Sequence, residues 1–133
     1  MPKTRIVPPQ WKAHNKYSAG FKVSGGSLVV LSGKGAVDAD GNIVGVGDMV
    51  AQTRWVMDML GHMLEVGGAT MNDVIKSVIY VTDVKSFFED AWPVYASYFK
   101  DDYPAATLVG VTELAFPELL VEIDFTAFIP DGH

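Results

Sequence analysis

The sequence predicts an α+β sandwich, with a mixed β-sheet and two helices packed on one of its faces. Three observations predict it. The 119–129 segment alternates as a strand does, with Leu119, Val121, Ile123, Phe125, Ala127 and Ile129 on one side and Leu120, Glu122, Asp124, Thr126 and Phe128 on the other. Two segments, near 48–67 and 86–99, repeat apolar residues at the helical period. The other apolar runs are short and bounded by turn residues, in the order strand, strand, helix, strand, helix, strand, strand.

Taken in chain order, the 21–23 and 28–31 runs flank Ser24-Gly25-Gly26-Ser27, a turn sequence, and predict a hairpin. Asp38-Ala39-Asp40-Gly41-Asn42 is a second turn. Asp48 is placed to cap a helix that ends at Gly67-Gly68, with Val56, Met59, Leu60, Met63 and Leu64 as its apolar stripe. The β-branched 74–82 run predicts a strand. Ser86-Phe87-Phe88-Glu89 has capping-box spacing, and Phe88, Ala91, Trp92, Tyr95 and Phe99 make a second stripe. Pro93 must begin that helix or kink it, because proline lacks an N–H and its ring opposes the preceding turn. Strands over 107–111 and 119–129 complete the sheet.

A chain of 133 residues forms one domain, 1–133, long enough for a core. It is 49% hydrophobic and only 20% charged, which predicts self-association to cover the second sheet face. The net charge of -6, with no basic run, disfavours a nucleic-acid partner, since phosphate backbones are held by clustered Lys and Arg. Zero cysteines exclude disulfides, thiolate nucleophiles and Cys–zinc sites. Neither a signal peptide nor a membrane span is expected, and the expected location is the cytoplasm.

Glu122 stands out because its strand face is apolar at both ends and acidic in the middle. A carboxylate so enclosed is a candidate acid–base group. Other chemistries lack their residues. His14, His62 and His133 are scattered without ligand spacing, so no metal site is expected. The 38–42 turn misplaces the glycine of a calcium loop and ends on Met49 instead of glutamate. Gly33-Lys34-Gly35 is neither a phosphate loop nor a dinucleotide fingerprint.

The segments Tyr17-Ser18-Ala19-Gly20, Val30-Leu31-Ser32-Gly33, Ala51-Gln52-Thr53-Arg54, Gly67-Gly68-Ala69-Thr70-Met71-Asn72-Asp73-Val74, Val81-Thr82-Asp83, Tyr95-Ala96-Ser97-Tyr98-Phe99, Tyr103-Pro104-Ala105 and Val121-Glu122-Ile123 carry a resemblance in their order and spacing. Over about 6–129 the chain resembles the RidA (YjgF-type) reactive-intermediate deaminases, and over 47–83 it looks most like their aminoacrylate deaminase branch. The resemblance implies a chorismate-mutase-like fold, trimeric with a central barrel and clefts between subunits. It also implies cofactor-free hydrolysis of an enamine or imine. By position, Glu122 would hold and deprotonate water, while Tyr17 and Ser32 line the cleft.

The chain departs from the family pattern where its deaminating members carry an arginine that clamps the substrate carboxylate. Here that position is Ala106. The family's glutamine is Lys34, its helix asparagine is Trp92, and its usual cysteine is Leu108. Ala106, Leu108 and Trp92 describe a roomier, more apolar cleft, in which Lys34 could supply a cation and Thr107 a hydrogen bond. The expected substrate is therefore a neutral or aromatic imine, enamine or related C–N compound rather than a simple 2-imino acid. A non-catalytic trimer that binds a small metabolite is the alternative.

Overall fold

The last strand organises the sheet. In the computed structural model, which describes residues 2–11 and 16–132, β7 (Val121–Pro130) pairs antiparallel on one flank with both β3 (Gly26–Val30) and β4 (Lys34–Gly35). On its other flank it pairs antiparallel with β5 (Val74–Val81), which pairs parallel with the edge strand β6 (Ala105–Gly110). His14 and His133 lie outside the described residues.

The alternation along β7 holds. Leu119 just before it, then Val121, Ile123, Phe125 and Ala127, are at most 3% exposed and face the helices. The other face is half-buried at Leu120, Glu122, Asp124 and Thr126. Phe128 is buried there because it packs over Gly26 on the neighbouring strand.

Helix α1 (Met49–Val66) is capped by Asp48, whose Oδ1 accepts the Ala51 N–H at 3.0 Å. Its buried face is Met49, Gln52, Thr53, Val56, Met57, Leu60 and Leu64, so Met57 faces the core where the sequence stripe had Met59. Gln52 fastens α1 to the entry of β7: its Nε2 donates to Glu118 O at 2.9 Å and its Oε1 accepts the Leu120 N–H at 2.8 Å. A buried amide with both ends engaged fixes relative position as well as stability.

The second helical segment differs from its sequence reading. α2 (Val84–Ser86) continues through a π-helical stretch, Phe87–Ala91, into α3 (Trp92–Ser97). Asp83 is the N-cap, its Oδ1 accepting the Ser86 N–H at 3.0 Å, so the capping box expected at Ser86 is absent. Pro93 explains the π stretch. A regular turn would press its ring on the preceding carbonyls, and widening the turn removes that clash; the Trp92 N–H reaches back to Phe87 O. The wider turn also moves the buried stripe to Phe87, Ala91, Tyr95 and Phe99, and leaves Phe88 59% exposed.

The expected hairpin does not form. β2 (Gly20–Val23) pairs with β1 (Lys3–Ile6) in a separate two-stranded sheet, while β3 pairs with β7. Gly25, at φ 67°, turns the chain from one sheet into the other. Alternating apolar residues predict a strand but not its partner.

Candidate active site

A cleft of about 590 Å³ lies at the open side of edge strand β6. It is lined by Lys16, Tyr17, Phe88, Trp92, Ala106, Thr107 and Leu108. The register with β5 puts Ala106 opposite Ser77 and Leu108 opposite Ile79, on the helix side of the sheet. Thr107 is opposite Val78, on the far side, so the cleft wraps around the strand. The Tyr17 segment is held at this edge by Ser18, whose N–H donates to Pro104 O at 3.0 Å and whose Oγ donates to Tyr103 O.

Aromatic rings form the cleft wall and continue into the core. Phe88 stacks on Trp92 with planes 4° apart, and Trp92 stacks on Tyr95 at 5.1 Å between centroids. The series runs on through Phe99 to Phe125, with centroids 5.2 Å and 5.8 Å apart. Burial pushes the Tyr95 hydroxyl well above the ordinary tyrosine range, with a smaller opposing contribution from Ser77, so it stays protonated. A π-face of this size favours a flat, apolar ligand.

Glu122 belongs to a different grouping. Its carboxylate lies against Gly33, so closely that a Cβ at Gly33 would collide with Glu122 Oε2. Gly33 and exposed Ser32 sit on the connection between β3 and β4. The register places Glu122 level with Tyr80 and Val109, whereas Thr107 is level with Val78 and Asp124. Two strand spacings across and two residues along separate Glu122 from Thr107, roughly 12 Å.

The structure thus brings Tyr17, Trp92, Ala106, Thr107 and Leu108 together in one cleft, and holds Glu122 apart from it against Gly33, the residue after Ser32. Lys34 joins neither. Its register partner is Ile123, on the helix face, and its Nζ lies 5.7 Å from the centre of the Trp55 ring. The sequence reading missed Lys16, the cleft position of Phe88 and the closeness of Gly33 to Glu122. Pro93 could have signalled Phe88, through the shift in helical register that it forces. Nothing local marks Gly33, since the contact is made with a strand 89 positions later.

His62 is exposed and lines a smaller cavity of about 300 Å³ with Asp58 and Tyr98. Burial, and then the Asp58 carboxylate that Tyr98 donates to at 2.8 Å, push the Tyr98 hydroxyl up to about 12.

Gly33→Ala tests the Glu122 contact. The added methyl must displace the carboxylate, while Gly33 is exposed and outside the core. The expected result is a melting temperature within a few degrees of wild type and a loss of whatever activity depends on Glu122. An unchanged activity would mean that the carboxylate position is unimportant.

Fold and site together define a two-layer α+β protein with an aromatic-walled cleft at a sheet edge. The chain belongs to the RidA/YjgF family: residues 8–129 match the family model described as Endoribonuclease L-PSP. A RutC family protein of Sulfurisphaera tokodaii is 35% identical over 107 residues, covering 80% of this chain and 82% of its own. Among solved structures, the Rid family protein YyfB of Yersinia pestis, described as of unknown function, superposes with a TM-score of 0.84 at 30% identity, covering 97% of this chain and 100% of its own. Rv2704 of Mycobacterium tuberculosis, a member of the YjgF/YER057c/UK114 family, gives 0.67 at 32% identity over 96% of this chain and 99% of its own.

Proposed function

We propose that this protein is a cofactor-free hydrolase of a neutral or aromatic imine or enamine rather than of a simple 2-imino acid, acting as a homotrimer with sites between subunits. The observation that carries the proposal is the division of the site. An aromatic cleft with the Tyr17 hydroxyl lies at one edge of the sheet, and a half-buried carboxylate on the same chain lies roughly 12 Å away. A neighbouring copy would place its Glu122 and Ser32 against this chain's cleft. The uncovered sheet face supports such an assembly. On β3, Leu28 and Val30 are 57% and 71% exposed beside the Glu122 face.

In this mechanism Glu122 removes a proton from water as its oxygen bonds to the imine carbon, and the carboxylic acid so formed returns that proton to the nitrogen. The resulting carbinolamine passes its hydroxyl proton through Glu122 to the nitrogen, and the C–N bond breaks to release ammonia and leave the carbonyl compound. An enamine first tautomerises to the imine. Tyr17 and Ser32 donate hydrogen bonds to the adduct. With Ala106 where deaminating relatives carry the clamping arginine, small 2-imino acids lose their fixed partner.

The test is ammonia release from imines generated in solution, comparing aromatic imines with 2-iminopropionate. Faster turnover of the aromatic set supports the proposal. If no substrate turns over while aromatic compounds still bind, the protein is a non-catalytic metabolite-binding trimer instead. Ribonuclease activity, suggested by the family description, is disfavoured by the net charge of -6.

A further inference from the structure

The hydrogen bonds at the cleft rim define a polarity that the apolar walls conceal. Lys76 Nζ donates to Thr107 Oγ1 at 2.8 Å. A threonine hydroxyl that accepts from an ammonium has its own O–H left to donate, polarised by the cation behind it. Thr107 lines the cleft, as does Lys16, whose ammonium can only donate. No Asp or Glu is among the described lining residues. The lysine and threonine that this chain brings to the cleft are therefore donors that can engage an acceptor, apart from the carboxylate a neighbouring copy would contribute, within a protein whose mean field, at a net charge of -6, repels anions.

We infer that Lys76, acting through Thr107, and Lys16 form a carboxylate-binding corner, so that the ligand is an aromatic compound bearing an acidic group. This deepens the proposed function by naming its substrate class, and rests on that reading only in taking the cleft as the ligand site. The corner differs from the position of Ala106. Ala106 faces the helix side of the strand, whereas Thr107 faces the other side, where β5 presents Lys76. The aromatic body would lie on Trp92 and Phe88, with its acidic group turned around the edge of β6 toward Thr107. Lys76 is a positioning residue here, since it orients and polarises the hydroxyl that touches the ligand.

Calorimetric titration with two unreactive probes tests this without requiring turnover. Phenylacetate and phenylacetamide have nearly the same shape and differ in charge. Wild-type protein should bind the carboxylate about tenfold or more tightly than the amide. Lys76→Met should reduce that preference to about twofold or less, with amide affinity nearly unchanged, and Lys76→Arg should restore much of it. Lys16→Met should weaken carboxylate binding and flatten its salt dependence. Equal binding of the two probes to wild type, a preference that survives Lys76→Met, or no binding of either probe at millimolar concentration would each overturn the inference. Failure of ammonia release alone would count against the hydrolase and leave this corner standing.

Discussion

Glu122→Gln is expected to lower ammonia release from the best aromatic imine by roughly 10²–10⁴-fold, with the protein's fold and melting temperature unchanged. Glutamine keeps the shape of glutamate, so it still fits against Gly33, where any added bulk collides. It removes the only role the proposed mechanism gives to the side chain, since an amide cannot take a proton from water at neutral pH. Structural disruption is not expected, because Glu122 lies on the half-buried face and the core is built from Val121, Ile123 and Phe125 on the other. Single-turnover assays would separate a chemical defect from slow product release. If the variant retains more than about a tenth of wild-type activity, another group activates the water and Glu122 has a structural role. Mixing this variant with one impaired in the cleft adds a test of the shared site. Partial recovery of activity in mixed assemblies is expected only if cleft and carboxylate come from different copies.

Phe125→Ala should be the most damaging of the core truncations, costing about 3–5 kcal/mol of stability. Phe125 is fully buried on the central strand, and its ring is the inner end of the aromatic series that begins at the cleft. Removing it leaves a void beside Phe99, whose contacts continue through Tyr95 to Trp92. For a domain of this size the loss corresponds to a fall in melting temperature on the order of 10–20 °C, measurable by calorimetry. Ligand affinity should also fall, because Trp92 loses part of the packed support that holds its plane. A drop below about 1 kcal/mol would show that neighbouring side chains collapse into the space. The melt should be repeated at several protein concentrations, since the stability of the proposed trimer would depend on concentration.

Much of the scaffold is readable from local chemistry. Asp48 caps α1, and the run expected over 74–82 is a strand over Val74–Val81, because caps and β-branched runs act over a few residues. β7 is readable because its alternation is uninterrupted. Where local signals failed, a distant partner or a backbone irregularity had decided the outcome. The 21–23 and 28–31 strands look like a hairpin in sequence, but their partners are β1 and β7. Phe88 looks like a core residue until the π stretch beside Pro93 rotates it outward. Ala106, Thr107 and Leu108 are neighbours in the chain and line one cleft. Lys34, expected as a cation for the cleft, follows Ile123 to the helix face, and the cation bonded to Thr107 is Lys76.

By itself the sequence determined the class of fold and the two faces of the last strand, one apolar and one mixed. These depend on period and propensity, which are properties of nearby residues. Only the tertiary structure decided that Glu122 rests on Gly33, that the cleft opens at β6, and that Lys76 serves Thr107. Those contacts join residues far apart in the chain, and strand order and register, rather than any local pattern, bring them within reach.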